Sequence, residues 1–136
     1  LFFPELAESV LRGYAASLRP DGSIAHVLGA GCLGPPAPPG PVYLGVNIGL
    51  FVVLLWQLVR GGGRPDLLQE LWPVGRRVLQ HQVQLAAAYG VPNNMYSAYD
   101  WFGLERKDVA AYTAFMYMAS LATGMEIARR LPDPAF

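Results

Sequence analysis

The stretch that decides the fold is Val42-Tyr43-Leu44-Gly45-Val46-Asn47-Ile48-Gly49-Leu50-Phe51-Val52-Val53-Leu54-Leu55-Trp56-Gln57-Leu58-Val59. It carries no charge, and Asn47 and Gln57 are its only strongly polar side chains. A membrane-crossing helix needs about 20 apolar residues to traverse a hydrocarbon core of about 30 Å. This run is slightly short of that, is interrupted twice, and has only Arg60 as a nearby anchor. A spanning helix is one reading. The preferred one is a helix buried on all sides within a larger helical assembly.

Outward from that run, the punctuation is helical. Gly61-Gly62-Gly63 breaks the apolar helix, and Arg64-Pro65-Asp66 opens the next with proline near its first turn. Leu67, Leu71, Val74, Val78 and Leu85 keep a helical stripe to about Tyr89. Pro73 falls inside it and is expected to kink the helix, because its ring denies the carbonyl of Gln69 a partner. Upstream, Pro4 starts a helix with Leu6, Val10 and Tyr14 every four residues and Ala7, Leu11 and Leu18 beside them. Pro20-Asp21-Gly22 ends it in a turn. A connection to about Pro41 follows, and its prolines from Pro35 to Pro41 exclude helix and central strand. Downstream, Gly90-Val91-Pro92-Asn93-Asn94 turns the chain into an aromatic loop, Met95 to Gly103. A last helix is expected from about Lys107 to Leu131, with Tyr112, Met116, Ala119, Thr123 and Ile127 on one face.

No segment alternates as a strand does, and no hairpin dipeptide joins two β-branched runs. The fold class is therefore all-α, with helices starting near residues 4, 42, 65 and 107 and pairing as antiparallel hairpins.

Composition narrows the function. The chain has 136 residues, 53% apolar and 15% charged, with ten basic and ten acidic side chains. One domain of this size buries a real core, and disorder is excluded. A neutral balance argues against general nucleic-acid binding, which needs a surplus of Lys and Arg against phosphate. Cys32 stands alone, so no internal disulfide forms. A zinc site would need Cys32, His26 and His81 together with a carboxylate, at a spacing that fits no zinc pattern. No metal or other cofactor is expected. Leu1 enters Phe2-Phe3-Pro4 directly and the chain stops just past its last helix, so the sequence reads as a contiguous piece of a longer one. No basic stretch followed by a small-residue cleavage site is visible.

Asp100 is the first candidate for chemistry, lying among Tyr96, Tyr99, Trp101 and Phe102. Aromatic surfaces stack on sugar rings, and a partly desolvated carboxyl holds its proton at higher pH, as a donor to a glycosidic oxygen must. Aspartates in such loops also cap turns and helices, and that reading stays open. His26 is the second, in Asp21-Gly22-Ser23-Ile24-Ala25-His26-Val27-Leu28-Gly29, as a donor to a substrate hydroxyl or as a packed, backbone-bonded histidine. His81, among Gln80, Gln82 and Gln84, reads as surface. Glu70, Glu105, Glu126, Asp66 and Asp133 read as solvated charge or caps.

Several of these stretches, taken in order, resemble one family. Phe3-Pro4-Glu5-Leu6 opens a helix, and the Asp21 to Gly29 loop is similar to the family's Asp-Gly loop with its Pro-His-Asp-Leu-Gly ending. Leu67-Leu68-Gln69-Glu70-Leu71-Trp72-Pro73 resembles its Phe-Leu-Lys-Glu, Trp-Pro segment. Asn94 to Gly103 resembles its Thr-Tyr-Asp loop, and Ala111-Tyr112 with Met118 to Leu121 its small-residue helix. The family is glycoside hydrolase family 116, which holds non-lysosomal glucosylceramidases and β-glucosidases. The resemblance implies a contiguous part of an (α/α)6 toroid and a retaining mechanism on small-molecule or lipid-linked β-glucosides. It implies Asp100 as general acid/base and His26 as a contact to sugar hydroxyls, with Trp101, one position early, at the pocket wall. Two positions depart from the pattern: Ala98 stands where the family has Thr, and Val27 where it has Asp. The nucleophilic glutamate would precede Leu1, and the late Glu and Arg that grip the sugar would follow Phe136. The chain by itself is therefore expected to be inactive, completed by the remainder of its parent. The alternative from a different class is a non-catalytic helical interaction or membrane-associated module.

Overall fold

In the computed structural model, residues 3–24, 45–62, 64–93 and 111–131 are described. They form four helices: α1 (Pro4–Ala16), α2 (Gly45–Gly62), α3 (Pro65–Leu85) and α4 (Ala111–Arg130). No strand occurs among the described residues, so the chain is all-α as its periodicity requires. Both expected proline starts hold: Pro4 and Pro65 open α1 and α3, where the ring's fixed φ suits the first turn and the missing N–H has no helical partner to lose. Two of the three glycines at 61–63 lie inside the last turn of α2, which runs to Gly62.

Contacts set the directions. Glu8, in the N-terminal half of α1, pairs with Arg64 just before α3, Arg12 one turn on pairs with Glu70, and the turn after α1 meets the end of α3 through Gly22 and His81. These two helices run parallel. Gly49 near the start of α2 faces Gln82 near the end of α3, and Met116 near the start of α4. Trp56 farther along α2 meets Arg130 at the end of α4. The order is up-down-up-down, with α2 touching all three other helices.

That central position explains the core. Phe51, Val52, Leu55, Trp56 and Leu58 of α2 pack with Leu67, Leu68, Leu71, Trp72, Val78 and Leu79 of α3, and with Leu11, Ile24 and Ile127. Burying a side chain such as Leu55 contributes about 1.5–3 kcal/mol relative to leaving it in water. Within this chain alone α2 is not covered on all sides. Leu50 is 47% exposed and Gln57 is exposed, because three neighbouring helices leave part of its circumference uncovered. No helix among the described residues is long and apolar enough to cross a membrane.

Two stripes also differ from expectation. In α1 Leu6 is 63% exposed, and the packed seam is Ala7, Leu11, Tyr14 and Leu18. A strict four-residue repeat drifts about 40° per step around a helix of 3.6 residues per turn, whereas steps of four, three and four stay on one face. In α4 the buried face is Thr113, Tyr117, Ser120, Gly124 and Ile127, one position on from the expected stripe at most of its steps. At Gly49 the helices approach closely: a Cβ there would lie 3.0 Å from the carbonyl oxygen of Met116. The stripe of α3 holds at Leu67, Leu71 and Val78, while Val74 and Leu85 are only partly buried and Leu68, Trp72, Gly75, Leu79 and Gln82 complete the buried face; Pro73 lies on the exposed side.

Candidate functional site at the loop-bearing end

The up-down order puts the end of α1, the start of α2, the end of α3 and the start of α4 at one end of the bundle. Both long connections leave and rejoin the helices there. The first passes from Ile24 to Gly45 and contains His26; the second passes from Asn93 to Ala111 and contains Asp100 and Trp101. His26, Asp100 and Trp101 themselves lie outside the described residues, as do Glu105 and Asp133. What is described is the framework on either side of them.

The framework of the first connection is a clamped turn. Asp21 Oδ1 accepts hydrogen bonds from the Ser23 N–H at 2.9 Å and the Ser23 hydroxyl at 2.7 Å. The Gly22 N–H donates to the Arg19 carbonyl, and the Arg19 N–H to the Ser23 carbonyl. Arg77 of α3 then donates from Nη2 to the carbonyls of Arg19 and Pro20, at 3.0 and 3.1 Å. Gly22 adopts φ +90°, and a Cβ there would stand 2.7 Å from the Arg77 carbonyl oxygen. Only glycine meets both demands. Ile24, 2% exposed, anchors the turn in the core two residues before His26. Burial pushes the Asp21 carboxyl up, but the two Ser23 hydrogen bonds and the charges of His81 and Arg19 outweigh it, leaving Asp21 below its ordinary pKa. His81 is half-buried beside Gly22 rather than on the open surface, because the turn folds over that side of α3.

The second connection leaves α3 through Ala86 to Gly90. Gly90 has φ +74° with nothing near its missing Cβ, and its N–H donates to the Ala86 carbonyl at 2.8 Å. α3 itself ends earlier than the expected limit near Tyr89, at Leu85 with Ala86 as its cap, and Gly90 closes the turn that follows. Buried Pro92 follows.

Between the two connections lies a buried polar group that sequence reasoning missed. Gln82 of α3 is 1% exposed and Ser120 of α4 fully buried, with the Ser120 Oγ 2.8 Å from Gln82 Oε1 and 2.7 Å from the Tyr117 carbonyl. One hydroxyl hydrogen is shared between two acceptors. Thr113 Oγ1, on the same face of α4, is buried without a partner. The signal for Gln82 was present: it falls between Val78 and Leu85 at steps of four and three, in register with the α3 stripe. Gly49 makes the space, since a Cβ there would stand 3.4 Å from Gln82 Nε2.

The opposite end of the bundle is held by charge. Arg12 bridges Glu8 and Glu70, and Arg64 bridges Glu8 and Asp66. The arginine hydrogen bonds hold Glu70 and Asp66 below the usual carboxylate range. These carboxylates are paired, as their expected role as solvated charge allows. Arg130 sits 4.8 Å from the centre of the Trp56 ring, with Arg60 at 5.9 Å. Among the described residues no three His, Cys, Asp or Glu side chains converge as a metal site would.

Compared with family models, with curated proteins and with solved structures, the chain finds no match.

Proposed function

We propose that the chain is part of the catalytic domain of a retaining β-glycosidase of the family 116 type, contributing helical hairpins to an (α/α)6 toroid. One observation supports this reading above others: the connections carrying His26 and Asp100 are both anchored at the same end of the helices, as residues that share one sugar must be. The resemblance of the Asp21 to Gly29 and Asn94 to Gly103 stretches supplies the roles.

Asp100 protonates the glycosidic oxygen as its bond to the anomeric carbon breaks, and the sugar passes to a carboxylate nucleophile contributed by the rest of the parent protein. Asp100 then accepts a proton from the water that releases the sugar. In retaining enzymes the two carboxyls stand about 5–5.5 Å apart, too close for an intervening water. His26 donates to sugar hydroxyls, and Trp101 forms part of the pocket wall. Substrates are small-molecule or lipid-linked β-glucosides, and no cofactor takes part. The remainder of the parent chain is the required partner.

The test is hydrolysis of aryl β-glucosides by the full parent protein, wild type against Asp100→Asn. General acid–base catalysis contributes about 10²–10⁴-fold, so a loss of that size is expected with poor leaving groups. Unchanged hydrolysis of such substrates would refute the assignment. A second reading, a helical interaction module without catalysis, draws support from the outward face of α4, where Phe115 is 66% and Met125 51% exposed. Full-length protein that is folded yet inert toward every β-glucoside would favour it.

A further inference from the structure

We draw no further inference here: the strongest candidate, the outward face of α4 carrying Tyr112, Phe115, Met118 and Met125, is an unpartnered apolar face, and nothing in the structure shows what covers it.

Discussion

Gly22 rests against the backbone of Arg77 so closely that a side-chain carbon at position 22 would come within 2.7 Å of the Arg77 carbonyl oxygen. Arg77 in turn reaches over to bond the carbonyls of Arg19 and Pro20. The turn leading to His26 is thus pinned to α3 from both sides, by backbone contact and by a guanidinium.

Gly22→Ala is expected to destabilise the protein by roughly 1–3 kcal/mol, since a left-handed conformation costs a residue with a Cβ and the contact with Arg77 must open. Urea unfolding followed by circular dichroism measures it. An unchanged midpoint would show that the turn does not dock as described.

Ser120→Ala leaves the Gln82 amide buried without its hydroxyl, an expected loss of about 1–3 kcal/mol. Combining it with Gln82→Leu removes both polar partners and is expected to recover part of that loss. A double-mutant cycle with additive effects would contradict the contact.

The register of α4 makes a contrast testable. Ile127→Ala, at a fully buried position, should cost about 2–5 kcal/mol. Phe115→Ala should cost far less, since its side chain is largely in solvent. Equal losses would mean that α4 is rotated, or that a partner covers its outer face.

Acid should weaken the protein through particular carboxylates. Glu70, Asp66 and Asp21 are all held below their ordinary pKa, the first two by arginine hydrogen bonds. A depressed folded-state pKa contributes stability that is present above the unfolded value, about 4, and is lost as pH falls through the folded value. Denaturation midpoints measured from pH 7 downward should therefore drop below about pH 4. Glu70→Gln should flatten that drop. Its effect at neutral pH should diminish in high salt, because the pair with Arg12 is exposed and screened.

If His26 binds sugar hydroxyls, His26→Ala in the full parent protein should weaken transition-state binding. The expected outcome is a lower kcat/KM for β-glucosides, with deoxy analogues losing less than the parent sugar. Equal sensitivity to every analogue would remove His26 from the sugar site.

Much of the fold was legible along the chain because its signals are local. Pro4 and Pro65 mark helix starts through their own geometry, whereas α3 ends at Leu85, a turn before the expected limit near Tyr89, and Gly90 closes the turn that follows. The α3 stripe was legible in part, at Leu67, Leu71 and Val78, because those apolar residues recur in register. The buried face of α4 was not. Periodicity alone offers Tyr112 and Met116 as readily as Thr113 and Tyr117, and the docking of α4 on α2, with the Met116 backbone against Gly49, selects the second set. Leu6 and Leu11 of α1 are equally apolar, and only docking against α2 and α3 selects Leu11 for burial. For the candidate site, residue types and order suggested Asp100, His26 and Trp101, whereas Gln82 escaped notice because its type says surface while its position says core.

By itself the sequence determined that the protein is helical and where its prolines and glycines divide it, because these follow from backbone chemistry and periodicity within short reach. Tertiary structure alone decided which face of each helix is inside and that the two long connections share one end. Those depend on how closely whole helices can approach, and a contact such as Gly49 against Met116 joins residues that no local pattern relates.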